Sequence, residues 1–517
     1  MSDAGVSDAA GPGAAAPAGL TALPGPGDLV VAAGAGITGL PVIRFLAARR
    51  CTVLVTSDRP PPAALAEIEG DVSFAGDLTA PPHGTSLVVM SAGIAPHRPL
   101  PAAATAAGVP VVGEVELAWL VDQQDPRGAR PWLAVTGTNG KTSTVEMLAA
   151  ILRAAGLQAT ACGNVGWPLL EAVLADGPAG SDRPRQDVIA VELSSFQLHY
   201  GPSIRPRAGV VLNLAEDHLE WHGDLTSYAA AKAVALTGEI AVAVVDDAGA
   251  AALLAAAPAG RRIPVTAGDP GASGVGVRST LGTAEVVDTA LGGGTLFRVA
   301  DLGASGPHQL TNAMAAATLA RAVRVPAAPI AAALAAYRPG AHRAQWVFEL
   351  DGVRFLDDSK ATNPHAAAAS LSALDAVVWI AGGQLKGASV DDLVQAVRER
   401  LVGVVLLGVD AEVIEQALRR HAPDVPRIVV SRTDDGAMGE VLDAAWAMAR
   451  PAGGAPAAAV TVALAPAAAS LDMFTSYGAR GDAFTAAVRA LADRPSRSGA
   501  GELGPVQGGS TLPGTQS

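Results

Sequence analysis

The chain has 517 residues, half of them hydrophobic and only 16% charged, which suits large buried sheets and, by length, about three domains. A net charge of −13 argues against non-specific nucleic-acid binding, and no apolar run reaches the roughly 18 residues of a membrane span. The start, M-S-D-A-G-V-S-D, lacks the basic region and apolar core of a secretory signal. Two cysteines, Cys51 and Cys162, cannot make a disulfide framework, so a reducing, cytoplasmic setting is expected.

Residues 1–27 and 494–517 are dominated by Ala, Gly, Pro and Ser and read as disordered tails. Between them, three stretches alternate strand and helix, the pattern of parallel α/β sheets. Domains are expected over 28–120, 121–338 and 339–493.

In the first stretch, strand L-V-V-A-A leads into Gly34-Ala35-Gly36-Ile37-Thr38-Gly39 and a helix. A G-x-G-x-x-G turn in that context is a diphosphate cradle built from backbone N–H groups and a helix end. A nicotinamide or flavin is one candidate ligand. The acidic residue such a site expects after the second strand is not clean, because Thr56-Ser57-Asp58-Arg59 puts serine first. The ligand stays open on these residues alone.

The second stretch opens with W-L-A-V-T-G-T-N-G-K-T-S-T, a strand, a glycine turn and a helix start. This is a phosphate-binding loop over Gly137, Thr138, Asn139, Gly140, Lys141 and Thr142. Lys141 supplies a compact cation, and the Thr142 hydroxyl suits Mg²⁺. Val135 stands where the common spacing has its first glycine. Downstream, Glu192 closes the apolar strand V-I-A-V-E-L, where a metal-binding carboxylate would sit; the plainer alternative is a buried glutamate with a structural partner. His218, in N-L-A-E-D-H, also follows a strand. Lys232, in Y-A-A-A-K-A, reads as an ordinary solvated helix lysine.

In the third stretch, G-A-H-R precedes F-L-D-D-S-K-A-T-N-P. Its dense short polar groups fit a capped turn, or one polar face shared with A-G-G-Q-L-K-G and A-A-A-S-L-D-M-F.

Taken together these motifs resemble the ATP-dependent Mur ligases of peptidoglycan precursor synthesis, from about Asp28 to Asp493 and in the same order. T-G-T-N-G-K-T, E-D-H and H-R are shared across that superfamily, while D-S-K-A-T-N and A-S-L-D-x-F point to its glutamate-adding branch. The resemblance implies an α/β architecture in which Rossmann-like first and third domains flank a central P-loop ATPase-type sheet. It implies an amide ligase that adds D-glutamate to UDP-N-acetylmuramoyl-L-alanine through an acyl phosphate, using ATP and Mg²⁺ and acting as a monomer. The enantiomer of glutamate follows from the resemblance only.

Carried over by position, Ile37, Thr38, Ser57, Asp58, Arg59 and Gly93 would hold the uridine diphosphate. Asn164, Ser194, Gln197 and His218 would line the rest of that substrate. ATP would meet the phosphate loop, Asn312, Arg343 and Asp358. Metal would sit on Thr142, Glu192, His218 and Lys232, with Lys232 carbamylated at a second Mg²⁺ site. Lys141, Glu192, His218, Lys232 and Arg343 would be catalytic. Thr362, Lys386, Ser470 and Tyr477 would take the glutamate. Ser57, Gln309, Gln345, Ala465 and Tyr477 depart from the residues usual in the family. Shielding an acyl phosphate from water predicts closure of the third domain over the second.

Other readings remain. Another Mur or folate-polyglutamylating ligase would share the phosphate loop, but a diaminopimelate- or lysine-adding enzyme would carry a D-N-P-R-type motif that this chain lacks. A transport or switch ATPase would need an aspartate where Glu192 stands. A nicotinamide dehydrogenase would leave the phosphate loop unexplained.

Overall fold

The computed structural model describes residues 20–175, 183–280, 282–304, 306–434, 436–450 and 460–494. They form two compact units, one running through Tyr337 and one from Arg338 onward, the latter also taking Ala215–Asp217. The tail segments 1–19 and 495–517 lie outside the described residues.

The first unit begins with a five-stranded parallel sheet in the order β3-β2-β1-β4-β5. The strands are β1 (Leu29–Ala33), β2 (Thr52–Thr56), β3 (Val72–Phe74), β4 (Thr85–Met90) and β5 (Val111–Gly113). They are joined or followed by α1 (Gly39–Ala48), α2 (Pro99–Ala106) and α3 (Glu114–Gln123). Val30, Val53, Val55, Ile43 and Leu46 are buried in its core. The strand order reverses beside β1, which opens a crevice at the carboxyl edge of the sheet. The G-x-G-x-x-G turn sits there. A Cβ at Gly39 would lie 2.2 Å from the Gly34 carbonyl oxygen, so the third glycine is what lets α1 start against the end of β1.

Residues 20–27, expected as part of a tail, pack on this sheet. Leu20 and Leu23 join its core, and the Arg49 Nε donates to the Pro24 carbonyl at 2.7 Å. Two leucines and a proline are enough to anchor a segment whose composition otherwise looks unable to pack.

The middle sheet has nine strands in the order β14-β13-β12-β11-β10-β9-β6-β8-β7. Its parallel part comprises β6 (Trp132–Thr136), β7 (Ala161–Gly163), β8 (Ile189–Glu192), β9 (Ala208–Val211), β10 (Ile240–Val244), β11 (Arg261–Thr266) and β12 (Val275–Thr280). Then β13 (Thr283–Asp288) and β14 (Gly294–Arg298) continue it as antiparallel strands. The helices are α4 (Lys141–Ala154), α5 (Leu169–Leu174), α6 (Ser195–His199), α7 (Leu219–His222), α8 (Leu225–Ala233), α9 (Ala248–Ala256), α10 (Pro307–Ala322) and α11 (Ala327–Ala336). On one face, Val145, Leu148 and Leu152 of α4 share a core with Met314 and Leu319 of α10.

The second unit is a six-stranded sheet in the order β15-β16-β20-β17-β18-β19. Its strands are β15 (Gln345–Leu350), β16 (Val353–Asp357), β17 (Ala376–Gly382), β18 (Leu401–Leu407), β19 (Arg427–Val429) and β20 (Val460–Leu464). The helices are α12 (Pro364–Leu371), α13 (Asp391–Val397), α14 (Ala411–His421), α15 (Ala437–Ala449) and α16 (Tyr477–Ala492). All pairs are parallel except β15 with β16, a hairpin turned by Asp351 and Gly352, both at positive φ. No helix among the described residues is long and apolar enough to cross a membrane.

Three acids on α3 tie the first two sheets into one unit. Glu114 Oε1 accepts from the Leu170 N–H at 2.8 Å, and Glu116 Oε2 accepts from the Ser203 N–H at 3.0 Å. Asp122 accepts from the Arg130 guanidinium and from the Trp132 indole N–H. Burial pushes the Glu114 carboxyl up from about 4.5 to about 7, an effect its backbone hydrogen bonds offset only in part. A carboxyl with a raised folded pKa binds more protons folded than unfolded, so stability falls as pH rises from about 4.5 through about 7. Glu114→Gln keeps the acceptor and removes the charge. It should therefore be the more stable protein at pH 8, by up to about 3 kcal/mol, and match the parent near pH 4. Urea unfolding at both pH values measures this, and an equal offset at the two would sink the idea.

Candidate active site

The phosphate loop connects β6 to α4. Val135, in the position of the missing first glycine, is a fully buried residue of β6, so the turn itself is the shorter Gly137–Gly140. Gly140 has φ +84, and a Cβ there would lie 2.4 Å from Asn312 Oδ1 on α10. Glycine is needed at this point for both reasons. The helix that follows starts at Lys141 with no side-chain cap, so its positive end faces the turn.

Lys141 Nζ donates to the carbonyls of Gly137 (2.9 Å) and Thr138 (2.8 Å). Lys232 Nζ donates to the same Gly137 carbonyl at 2.7 Å. Lys232 is 1% exposed and also lies over the Tyr228 ring, 4.5 Å from its centroid, which overturns the reading of a solvated helix lysine. Two ammonium groups therefore converge on one carbonyl oxygen. At about 5 Å and an effective dielectric near 20 such a pair repels by roughly 3 kcal/mol. An anion placed between them would relieve that.

Register pairs Val135 with Glu192, so the carboxylate at the end of β8 stands next to the strand that carries the loop. Glu192 is 1% exposed. Its Oε1 accepts from Asn164 Nδ2 at 2.8 Å, while the buried Oε2 has no hydrogen-bond partner. An unpartnered buried carboxylate oxygen fits a cation. Among the described residues no group of three or more His, Cys, Asp or Glu side chains could hold a metal by itself. Glu192 with the Thr142 hydroxyl suits Mg²⁺, which takes few protein ligands and completes its shell with phosphate oxygens and water.

His218, at φ 56, heads α7 and packs edge-on against Phe196 at 4.7 Å between centroids. It belongs to an aromatic shell with Trp221 and His222. His222 Nε2 lies 2.9 Å from Ser195 Oγ, and burial together with His199 and Lys232 pushes its pKa down to about 3. Its ring is neutral at working pH. Ser194 and Gln197 form a reciprocal capping box at the start of α6, so part of their polarity is spent on the helix end.

Sequence reasoning does not single out two residues of this site. Asn213, just past β9, clamps the loop: its Oδ1 accepts from the Asn139 N–H at 2.8 Å and its Nδ2 donates to the Asn139 carbonyl at 3.2 Å. The Tyr228 hydroxyl lies 3.0 Å from Thr138 Oγ1. The only hint is the polar N following the strand in V-V-L-N-L. Gln309, by contrast, is buried with its Oε1 unpartnered.

On the first sheet, the turn after β1, residues 57–59 after β2 and Gly93 after β4 share the carboxyl edge. Ile37 is 83% exposed, and Asp58 and Arg59 are also exposed.

In the second unit the loops after β16, β17 and β20 come to one edge, bringing Asp358, Thr362, Lys386 and Ser470 to the same end of that sheet. Burial raises Asp358 to about 6, while Ser370, the Ala344 N–H and the Arg343 charge pull the other way. Lys360 Nζ sits 5.0 Å from the Tyr477 ring centroid. Asn363 caps α12, so the capped-turn reading holds for that residue. Arg480 of α16, 1% exposed and equally silent in the sequence, ties the three loops together. It donates to Ser359 Oγ (3.0 Å), the Ser359 carbonyl (2.9 Å), Ala468 (3.1 Å) and Gly382 (3.4 Å).

This is the organisation of an α/β enzyme with one phosphate-loop unit and one further sheet domain. Three family models cover it: the Mur ligase MurD-like N-terminal domain over 28–113, the Mur ligase middle domain over 135–320, and the Mur ligase glutamate ligase domain over 342–454. The chain belongs to the Mur ligase family. It is 49% identical over 492 residues to a UDP-N-acetylmuramoylalanine–D-glutamate ligase of Mycolicibacterium vanbaalenii, covering 90% of this chain and 98% of that one. It is 47% identical over 477 residues to the enzyme of that name from Streptomyces avermitilis, again covering 90% and 98%. Among solved structures it resembles the UDP-N-acetylmuramate–alanine ligase of Thermotoga maritima (TM-score 0.51, 17% identity, 90% and 99% covered). It also resembles a pseudomurein peptide ligase of Methanothermus fervidus (TM-score 0.53, 13% identity, 90% and 100% covered).

Asn213→Ala should free the Asn139 amide. Hydrogen exchange at residues 137–141 is expected to speed up at least tenfold, in line with a lost hydrogen bond worth about 1–2 kcal/mol. Unchanged exchange there would show that the clamp is idle.

Proposed function

We propose that this chain is an ATP-dependent ligase that joins D-glutamate to the alanine carboxylate of UDP-N-acetylmuramoyl-L-alanine, releasing ADP and phosphate. The supporting relatives carry that substrate and that amino acid in their names. The observation that carries the reading is the convergence of Lys141 and Lys232 on the Gly137 carbonyl, beside the buried, half-satisfied Glu192. Lys141 at the end of the phosphate loop is suited to a polyphosphate, and a buried amine held beside it on the same carbonyl is suited to conversion into a metal-binding anion.

The chemical difficulty is that a carboxylate is a poor electrophile. Phosphorylating the alanine carboxylate makes an acyl phosphate; the glutamate amine then attacks its carbonyl carbon, the C–N bond forms, and phosphate leaves. Carboxylate and γ-phosphate, both anions, must first approach, at a cost of roughly 4 kcal/mol at 4 Å and an effective dielectric near 20. Lys141 offsets that charge, and the backbone of Gly137–Gly140 fixes the phosphates. Bound Mg²⁺, held by Thr142 and Glu192, would supply further neutralisation of the transferring phosphoryl group. Asn312, Arg343 and Asp358 are assigned to the nucleotide. The crevice with Ile37, Thr38, Ser57, Asp58, Arg59 and Gly93 is assigned to the uridine diphosphate, and Asn164, Ser194, Gln197 and His218 to the rest of that substrate. Thr362, Lys386, Ser470 and Tyr477 are assigned to the glutamate.

Lys232 is assigned to carbamylation, in which its neutral amine adds to CO₂ and loses a proton. The product carries negative charge, so the repulsion beside Lys141 becomes attraction, and with His218 it can hold a second Mg²⁺.

A coupled assay of ADP release with UDP-N-acetylmuramoyl-L-alanine and either D- or L-glutamate tests the activity. Turnover is expected with the D enantiomer only, and no glutamate-dependent ATP use would end the proposal. Lys141→Ala should abolish turnover while the unfolding midpoint stays within a few degrees. Lys232→Ala should lose turnover that acetate or propionate partly restores; failure of every short acid to do so would count against the carbamate.

A further inference from the structure

A second cavity of about 450 Å³ lies at the opposite end of the middle sheet from the phosphate loop. Trp132, Ala208 and Ile240 begin β6, β9 and β10, and residues just before or at these starts line it. The loop leaves the other end of β6, about 13 Å of strand away. The size is that of a small-molecule site.

Its lining is basic, in a chain whose net charge is −13. Four arginines take part: Arg130, Arg205, Arg207 and Arg324. Arg207 is paired with Glu239, and Arg130 Nε with Asp122. Arg205 Nη1 donates only to carbonyls, those of Pro202 (2.9 Å) and Ile204 (2.8 Å), which carry no charge. Arg324 is exposed and faces no carboxylate within ion-pair distance among the described residues. Two guanidiniums are thus uncompensated in one cavity. Arg130 differs from these two: its side chain is 2% exposed and held by Asp122 and the Val173 carbonyl (2.9 Å), so it belongs to the fixed wall of the cavity and not to its open donors.

We propose that this cavity binds a phosphate group, free or esterified to a small molecule, at a site separate from the phosphate loop. Two unpaired guanidiniums match a dianion, and their planar forks suit phosphate oxygens. The cavity exceeds what bare phosphate fills, and Trp119 offers a ring wall for an organic body.

The test uses the full chain with ADP present throughout, so that the phosphate loop is occupied. Isothermal titration with inorganic phosphate and with phenyl phosphate is compared in the parent and in Arg205→Gln/Arg324→Gln. Both side chains are at the surface, and the unfolding midpoint without ligand should not move. One saturable site per chain is expected, with a dissociation constant below about 1 mM and at least tenfold weaker in the double variant. Tighter binding of the phenyl ester supports an organic phosphate, and equal binding supports the free ion. No saturation by either probe, or equal binding by parent and variant, overturns the proposal.

Discussion

The carbonyl oxygen of Gly137 is the point on which this molecule's chemistry turns. It accepts from Lys141, four residues along the chain, and from Lys232, nearly a hundred residues away. For both lysines to reach it, β6 must end where it does, α4 must start without a cap, and α8 must bury a charged residue. Glycine at 140 is forced by the same arrangement, because Asn312 fills the space a side chain would need. A concentration of positive charge of this kind is unfavourable for folding and useful for binding phosphates, which marks it as a functional feature rather than a packing one.

That positive centre needs a rigid frame, and α3 supplies part of it. In an isolated sheet domain, Glu114, Glu116 and Asp122 would be surface acids. Here each takes hydrogen bonds from the middle domain, and the Tyr200 hydroxyl donates a further one to the Ile94 carbonyl at 2.9 Å. Buried carboxylates cost more to misplace than apolar contacts do, since each leaves an unsatisfied acceptor if the docking shifts. The first and middle sheets accordingly form one unit, with the crevice of one and the phosphate loop of the other on a shared scaffold.

What can be read from the chain divides along the range of the contacts involved. The two glycine turns are local: their spacing encodes the close approach of Gly39 to Gly34 and the left-handed backbone at Gly140. Glu192 is legible too, because a carboxylate that ends an apolar strand is buried by its neighbours and so calls for a cation nearby. Lys232 is not. In A-A-A-K-A-V nothing local distinguishes a buried lysine from an exposed one, and its partner is 95 residues upstream. Asn213 and Arg480 are hidden for the same reason, with contacts 74 and 121 residues away. The antiparallel β15–β16 pair is legible in principle, since Asp351-Gly352 between two apolar runs is a strong hairpin signal. An expectation of uniformly parallel sheets conceals it.

Arg480 shows how the second unit handles a comparable problem with one residue. The three loops at its sheet edge carry Thr362, Lys386 and Ser470, and none of them has regular structure to hold it. A guanidinium has five donors in a fixed plane, and here four bonds go to groups on those loops or their strand ends. With Ser359, Gly382 and Ala468 fixed to one plane, the neighbouring positions cannot drift independently. Burial lowers the Arg480 pKa only to about 10, with Asp472 and Asp357 acting against the shift, so it stays charged across the working range. Lysine at this position would have three donors and no plane, and would leave loop acceptors unpaired. Loop precision in this unit thus depends on a side chain that need not touch a substrate.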